Sequence, residues 1–466
     1  MSATVRVRRD VWALSAEDTW HPTILAYARA VAAMRLRHRD DPISWAYQGG
    51  IHGSVERPPA RARWNQCQHG GWYFLPWHRL YLAYFERMVR SVVVEQGGDE
   101  SWALPYWSIE APGADALPPA FRAPALPNGD ANPLFVAQRR SALNQGARIP
   151  VEPLSSAPAL RDRFFTPEGG TGFGGGSSGP LHFNDEPGSI ERTPHNDLHV
   201  VVGGSTSWMG DPDFAALDPI FWLHHANVDR LWAEWLVLGD GRANAIEPAW
   251  LRQRFSFVDE QRRRRRPKVA DTLSTTELGY TYDSLPETEL PAAMTAPAKR
   301  PHRGELVGAT DRAFELSAGG TEVAVPIDQR AAEAVLGDRE APVSQRVYLA
   351  VEGVDAERNP GLVYEVYVVG AGDDPAQQHI GNLSLFGIER QAPSAGAAKP
   401  PRHVYDITDA VGALRRAGSW DGEQVRLAFR PLELLPPEEG EMEVEDEELP
   451  AEATPVRIGR VSVFYA

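Results

Sequence analysis

Histidine is the residue in this sequence whose type and spacing point to chemistry. The 466-residue chain has thirteen, and they include two dense clusters. The first cluster is CQHGGWYFLPWHR at 67–79, with His52 upstream, and the second combines TPHNDLH at 193–199 with DPIFWLHHANVDR at 218–230. Each offers three imidazoles, and no carboxylate or thiolate ligand is evident. Neutral imidazoles suit copper, zinc, iron or nickel, so the pattern predicts two metal sites without naming the metal.

The first part of the second cluster predicts a helix. Thr193 is a favourable N-cap residue and Pro194 suits a first helical turn. His195 and His199 would then lie one turn apart on the same helix face, the spacing that two imidazoles need to share a metal.

The second part predicts another helix, which begins at Asp218–Pro219 by the same logic. Phe221, His225 and Asp229 follow one another at i, i+4 and form one stripe. We expect His225 to be the third ligand and Asp229 to accept its spare ring N–H. His224 lies about 100° round the helix and should point elsewhere.

In the first cluster, His69 and His78 are nine residues apart, and one straight helix would aim them in opposite directions. Pro76 resolves the conflict if it begins a helix that carries His78, while His69 arrives from the preceding segment. Together with His52, these residues make a second set of three.

The elements around the clusters indicate two domains. Apolar residues recur three and four apart at 29–38 and 78–94, as in amphipathic helices. The glycine-rich run at 169–179 lacks the ending of a phosphate-binding loop and predicts a flexible connection. Strand-like runs follow at 346–354, 362–370, 424–433 and 456–466. We therefore predict a mainly α domain at 1–285 with an antiparallel helical-bundle core, a linker at 286–302, and a β-sandwich or barrel-like domain at 303–466.

Composition excludes several classes of protein. There are 47 basic and 63 acidic residues, a net charge of −16, which argues against a nucleic-acid or anionic-membrane partner. The single cysteine, Cys67, excludes an intramolecular disulfide and a zinc finger. No window approaches 18 consecutive apolar residues, so no membrane span is predicted. The first fifteen residues lack the apolar stretch of a signal peptide, so we expect a cytoplasmic location.

Two runs of charged residues differ from the composition of the chain as a whole. Residues 438–452 contain nine acidic residues and no basic one, which predicts a disordered loop. Residues 262–266 are five consecutive arginines. In so acidic a chain these are expected to form a solvated loop, or to pair with the carboxylates at 438–448.

The sequence as a whole resembles the type-3 copper proteins, which comprise tyrosinases, catechol oxidases and haemocyanins. The motifs that carry the resemblance are HGGWYFLPWHRLYLAYFER and PHNDLH with DPIFWLHHANVDRLW. Further segments, SWALPYWSIEAP at 101–112, GSIERTPH at 188–195, WLRQRFSFVDE with LGYTYDSL within 250–285, and YEVYVVG in the tail, resemble plant polyphenol oxidase. The resemblance therefore covers nearly the whole chain.

The resemblance implies two copper ions per chain, which bind dioxygen and oxidise small phenolic substrates. The implied ligands are His52, His69 and His78 for one copper, and His195, His199 and His225 for the other. The implied reaction is oxidation of o-diphenols to o-quinones, with o-hydroxylation of monophenols as a further activity. An o-aminophenol oxidase and a haemocyanin-like oxygen carrier are the alternatives. The oligomeric state and the need for a copper-delivery helper protein stay open.

Other site residues also follow from the resemblance. Glu191 and Asn196 match the pair that holds a water for taking the phenol proton. Phe221 matches the ring against which the substrate stacks. Pro212 aligns with the bulky residue that often gates the site, although Met209 or Phe214 could also reach it, and Val200 is placed with the substrate-binding residues.

The resemblance implies a covalent link and a latent state as well. Cys67 lies two residues before His69, where fungal tyrosinases and molluscan haemocyanins have a cysteine joined to the histidine ring, whereas the plant enzymes place theirs elsewhere. A buried thiol is the alternative. The plant disulfides cannot form here, so another restraint must hold the N-terminal segment. The tail resembles the domain that covers the copper site in latent polyphenol oxidases, which predicts autoinhibition, although a purely stabilising domain is nearly as well supported.

Overall fold

The chain forms a helical part and a β part, which lie against each other. The computed structural model describes residues 5–166, 172–184, 186–205, 208–285, 305–328, 346–372, 375–388, 402–420, 422–436 and 455–465. The predicted linker at 286–302 and the acidic run at 438–452 lie outside the described residues, and the glycine-rich run is described only from residue 172.

Helices dominate the first part. They are α1 (Val11–Glu17), α2 (Pro22–Arg35), α3 (Trp45–His52), α4 (Phe74–Glu95), α5 (Pro119–Arg122), α6 (Ser141–Asn144), α7 (Ala157–Arg161), α8 (Asp197–Gly203), α9 (Pro219–Val237) and α10 (Pro248–Arg252). Helix α4 packs against both α2 and α9, and α2 packs against α3, around a core rich in buried tryptophan. The predicted helical core is therefore confirmed. No helix in the described part of the chain combines the length and the apolar character that a bilayer span requires.

Helix boundaries differ from the sequence prediction where capping decides them. The helix predicted at 29–38 begins earlier, at Pro22, because His21 Nδ1 accepts the N–H of Thr23 and caps the first turn. Asp218 caps α9 as predicted, since its Oδ1 accepts the N–H of Ile220 at 3.0 Å. The Thr193 side chain makes no capping bond: its hydroxyl donates to Asp197 Oδ2 at 2.7 Å. The backbone is extended at Thr193, which kinks the turn at Glu191–Asn196, and α8 is assigned from Asp197.

A buried ionic network ties the N-terminus to the end of the helical part. Strand β1 (Arg6–Arg8) pairs in parallel with β4 (Tyr280–Tyr282), and a short hairpin of β2 (Phe257–Val258) and β3 (Arg264–Arg265) lies nearby in sequence. The fully buried Arg8 guanidinium donates to Glu86 Oε2 at 2.7 Å and to Tyr282 Oη at 2.8 Å. This network is the restraint that the sequence required in place of disulfides.

The β part is a sandwich of two antiparallel sheets, as predicted. Its strands are β5 (Glu305–Ala309), β6 (Phe314–Leu316), β7 (Thr321–Pro326), β8 (Val347–Asp355), β9 (Val363–Val369), β10 (Gln377–Ser384), β11 (Arg402–Asp406), β12 (Gln424–Pro431) and β13 (Val456–Tyr465). One sheet has the order β10-β9-β12-β7 and the other β11-β8-β13-β5, with β6 also paired to β13. Their inner faces enclose a second apolar core. Helix α11 (Thr408–Arg416), which was not predicted, packs against β8 and β10.

Candidate metal centre

The first three histidines converge from three separate elements. His52 is the last residue of α3, His78 lies in the first turns of α4, and His69 precedes α4 on a loop bridged to Phe183. The ring centroids are 5.4 Å apart for His52–His69, 5.7 Å for His52–His78 and 5.3 Å for His69–His78. All three Nε2 atoms are buried and have no hydrogen-bond partner among the described residues. Three buried imidazole nitrogens without partners, on rings this close together, suit a metal ion. Ligand atoms of His52 and His78 also lie within 4.8 Å of one another and of one from His225.

The second three histidines converge more tightly. His195 Nε2 and His199 Nε2 each lie 3.3 Å from His225 Nε2. Two ligand atoms about 2.0 Å from one ion in a tetrahedral site are about 3.3 Å apart, so these separations match a shared metal. The centre is held by the turn at Glu191–Asn196 and by helices α8 and α9.

The two sets lie side by side and form one centre. The rings of His78 and His225 stack with centroids 4.5 Å apart and planes 17° apart. The centroids of His69 and His195 are 5.8 Å apart. Two metal ions held by these sets would therefore be immediate neighbours.

Backbone and amide oxygens orient the rings. The Nδ1–H groups donate to Pro212 O from His52 (2.9 Å), to Phe74 O from His78 (2.9 Å), to Met209 O from His199 (2.8 Å) and to Asn196 Oδ1 from His195 (2.8 Å). A carbonyl oxygen only accepts, so Nδ1 carries the proton and the Nε2 lone pair faces the centre.

Burial keeps these imidazoles neutral. It lowers the pKa of His52 and of His195 to about 3, and it lowers the pKa of His69, His78, His199 and His225 well below the ordinary value. Neutral imidazoles are the protonation state that a metal binds, and an all-nitrogen donor set suits copper better than magnesium or calcium. The donors present therefore fit a pair of copper ions.

His224 does not point away from the centre, contrary to the prediction. Its buried ring lies 5.4 Å from that of His195 and 5.1 Å from that of His199, and the three offer ligand atoms within 4.8 Å of one another. His225 is the better third ligand, because its Nε2 makes the two 3.3 Å approaches.

Asp229 does not support His225, and that prediction was wrong. The carboxylate is hydrogen-bonded instead to Arg79 and to the hydroxyls of Tyr280 (2.6 Å) and Tyr282 (2.5 Å), and His225 Nδ1 has no hydrogen-bond partner among the described residues. Arg79 is adjacent to His78, so the Asp229–Arg79 ion pair joins α9 to α4 beside both sets of rings.

Glu191 and Asn196 lie together on the outer side of the centre. Glu191 Oε1 accepts the N–H of Gly70 at 2.7 Å, while Oε2 is buried without a partner in the described part of the chain. Burial raises the pKa of Glu191 to about 8. Both side chains line a cavity of about 30 Å³ that His69, Phe183, Phe386 and His403 also border.

The four residues predicted to meet the substrate do not line this cavity. The buried ring of Phe221 lies 4.2 Å from that of His225 and 4.9 Å from that of His52, so it packs against both sets of ligands. Pro212 and Met209 act through their carbonyl oxygens, which orient ligand rings, and Val200 is fully buried. Their contact with substrate stays a prediction.

Two aromatic rings at the centre were missed by sequence reasoning. Phe183 stacks on His69 with centroids 4.9 Å apart and planes 17° apart. Phe386, from the β part, stacks on His199 at 4.2 Å and 16°. No local pattern marks either residue, because Phe183 follows an irregular loop and Phe386 reaches the centre only through the packing of the two parts.

Cys67 lies against the ring to which the predicted thioether would join. Its Sγ is fully buried, 3.3 Å from His69 Nδ1 and 3.2 Å from His182 Nδ1. The thioether itself stays a prediction.

Comparison with known families gives matches to tyrosinases and polyphenol oxidases over most of the chain. The common central domain of tyrosinase matches residues 42–157 and 138–238, the polyphenol oxidase middle domain matches 244–295, and a domain of unknown function matches 303–466. Tyrosinase HcTyr1 of Hahella sp. (strain CCB-MM4) is 33% identical over 98% of this chain and 99% of its own length. A chloroplastic polyphenol oxidase of Malus domestica is 28% identical over 75% of this chain and 63% of its own.

Solved structures share the fold across both parts. Latent apple tyrosinase aligns with a TM-score of 0.65 at 22% identity, covering 100% of this chain and 98% of that one. Latent aurone synthase aligns with a TM-score of 0.65 at 20% identity, covering 100% and 90%. With two histidine sets that fit a metal pair and a full-length tyrosinase relative, this chain belongs to the tyrosinase and polyphenol oxidase family of copper-dependent phenol oxidases.

Proposed function

We propose that this chain binds two copper ions and uses O₂ to oxidise o-diphenols to o-quinones. The observation that carries the proposal is the convergence of six buried, neutral imidazoles in two adjacent sets of three. His52, His69 and His78 would hold one copper, and His195, His199 and His225 the other. When bound, such a pair supplies O₂ binding and activation; each O₂ oxidises two diphenols to two quinones and is reduced to two waters.

The chain's own contribution is to fix the rings and to keep the centre dry. Carbonyl and amide oxygens hold four of the six Nδ1–H groups, so each of those rings has one tautomer and one direction. The Asp229–Arg79 pair joins the two helices that carry His225 and His78. Such preorganisation lowers the cost of bringing two metals and a substrate together.

We also propose monophenol hydroxylation, with Glu191 and Asn196 holding a water. The cavity between them is about 30 Å³, and a site of this size holds one or two waters. Glu191 Oε2 is a buried acceptor for that water. With Glu191 ionised, above its raised pKa, a water polarised by its carboxylate and by the amide would take the phenol proton, and the phenolate that results is the stronger nucleophile.

Finally, we propose that the chain is made in a latent form. The Phe386 ring covers His199 in parallel, so it takes the space over this ligand that a phenol would need. The remaining cavity of about 30 Å³ is far smaller than the usual ligand pocket of roughly 300 Å³ or more. Backbone pairing between Leu435 and Arg148, and donation from Asn382 Nδ2 to Asp197 Oδ2 at 2.8 Å, hold the β part in this place.

The test of the copper proposal is metal content together with turnover. Protein loaded with excess copper and then desalted should retain two coppers per chain by mass spectrometry. After proteolytic release of the β part, it should convert 4-methylcatechol to its quinone. His225→Ala should retain at most one copper and lose turnover. A single copper per chain at saturation in the unaltered protein would contradict the proposal. Two coppers per chain without diphenol turnover would also contradict it and would indicate an oxygen carrier instead.

A further inference from the structure

The five-arginine run at 262–266 divides into two faces. Arg263 Nε and Arg265 Nε both donate to Asp259 Oδ2, at 3.0 and 2.7 Å, and Arg262 forms a two-pronged pair with Asp41 at 3.0 Å for each bond. Arg264 and Arg266 make no such pair among the described residues and lie on the side that faces the segment at 58–66. The run is therefore not uniformly neutralised.

The other face borders a cavity. A volume of about 450 Å³ lies between the segment at 58–66 and the region of the β2–β3 hairpin, and Arg63, Arg254, Arg264 and Arg266 line it. Two of the four are positioned by backbone: Arg264 Nη2 donates to Arg61 O at 2.9 Å, and Arg254 Nη1 donates to Arg266 O at 2.6 Å. None of the four pairs with a carboxylate among the described residues. Four exposed guanidiniums that share one cavity, and that have no carboxylate partner among the described residues, form a local basic patch in a chain of net charge −16.

Two aromatic side chains form part of the remaining wall, together with Pro58, Ala62, Gln66 and Ser256. Trp64 and Phe255 both line the cavity and are 8% and 6% exposed. The indole N–H of Trp64 is buried without a hydrogen-bond partner in the described part of the chain, and such a donor ordinarily has one. Both observations indicate a ligand with negative acceptors and a flat apolar body.

We propose that this cavity binds an aromatic oligoanion, a flat ring compound that carries two or more carboxylate, sulfate or sulfonate groups. Planar guanidiniums bind such oxyanions through paired N–H donors, and the same planar groups stack on an aromatic ring. Because four arginines line the same cavity, a ligand with several anionic groups can pair with more than one of them.

The cavity wall is hydrogen-bonded to the helix that ends at His52. Asn65 N–H donates to Gly50 O and Gln66 N–H to Ile51 O, both at 3.0 Å, so the segment that includes Trp64 is tied to the end of α3, where His52 lies. A ligand in the cavity would therefore stiffen the segment between His52 and His69. We expect bound ligand to raise the thermal stability of the whole protein.

The experiment is titration of the full copper-loaded chain with naphthalene-1,3,6-trisulfonate at low salt, followed by calorimetry. We expect saturable one-to-one binding that weakens as salt is added. Arg264→Gln/Arg266→Gln should weaken binding by about tenfold or more, because each lost guanidinium removes a charge-assisted contact. The matched control, Arg262→Gln/Arg263→Gln, removes the same charge from two arginines that do not line the cavity and should change affinity less than about twofold.

Three results would overturn the proposal. They are absence of saturable binding, equal loss in the two double variants, and binding that appears only when the glutamates at 438–448 are replaced by glutamine. The last would mean that the chain's own acidic run competes for the arginines. Circular dichroism, and diphenol turnover after proteolytic release of the β part, establish that each variant is folded.

Discussion

Truncation of Phe386 to alanine should activate the full-length protein without proteolysis. The ring is 4% exposed and stacks on His199 at 4.2 Å, and it belongs to the apolar core of the helical part although it comes from the β part. Burial of a phenylalanine side chain contributes about 1.5–3 kcal/mol, and ring stacking adds about 0.5–1.5 kcal/mol. Loss of about 2–4 kcal/mol of docking free energy raises the open fraction by about 30-fold to several hundredfold.

The assay is quinone formation from 4-tert-butylcatechol by full-length protein of known copper content, with gels that establish an uncut chain. Phe386→Leu keeps most of the bulk and should stay close to latent. Phe429→Ala weakens the core of the β part while it leaves the Phe386 ring in place. If Phe386→Ala changes the rate less than about twofold, or if Phe429→Ala activates equally, Phe386 does not block the site.

Three further predictions concern the same centre. Asn196→Ala should lower tyramine hydroxylation at least about tenfold more than 4-methylcatechol oxidation, because only the monophenol needs the bound water. The peptide that contains Cys67 and His69 should be two hydrogens lighter than its sequence mass after copper loading in air, since formation of the thioether removes two hydrogens with O₂ as the oxidant. Arg8→Met should lower the free energy of unfolding by about 3–5 kcal/mol in denaturant unfolding, because the buried Glu86 carboxylate loses one of its two ion-pair partners.

Each of these has its own control. Asn196→Asp keeps the acceptor for the His195 Nδ1–H and should retain more hydroxylation than the alanine variant; equal losses of both activities would contradict the water-holding role. Cys67→Ser supplies the mass reference, and an unshifted peptide would mean a free thiol. Arg9→Met removes an exposed arginine next to Arg8 and should cost less than about 1 kcal/mol. Equal destabilisation by both changes would refute the account of the Arg8 network.

Sequence reasoning could group His195, His199 and His225 because helical spacing is local. Asp218 and Pro219 start α9 as expected, and the spacing of His225 from that start fixes which way its ring faces. The partners of Asp229 could not be predicted, because Arg79 and Tyr282 are 150 and 53 residues away in sequence and both reach its carboxylate. A carboxylate one turn beyond a ligand is as well placed for an ion pair as for a hydrogen bond to the imidazole.

Contacts between residues far apart in sequence also explain why Phe183 and Phe386 were not predicted. The alternating pattern of the tail predicted its strands, and the fold confirms them, but period two does not say which loop of a sandwich faces another part of the chain. Phe386 follows β10 directly, and Asn382 within β10 donates to Asp197. The position of Phe386 is therefore set by long-range docking, which no local pattern reports.

The pairing of β1 with β4 has a consequence for how the molecule could be cut. The helical part begins and closes at the same place, since Arg6 lies opposite Tyr280 and Asp283 accepts the hydroxyl of Tyr106 at 2.7 Å. A protease that cleaved after Leu285 would cut the polypeptide just beyond this closure of the helical part. The β1–β4 pairing and the hydrogen bond from Tyr106 to Asp283 would both stay in place. Maturation by a single cleavage at this point would therefore remove no contact within the helical part. Removal of the first few residues would instead remove β1 and its pairing with β4.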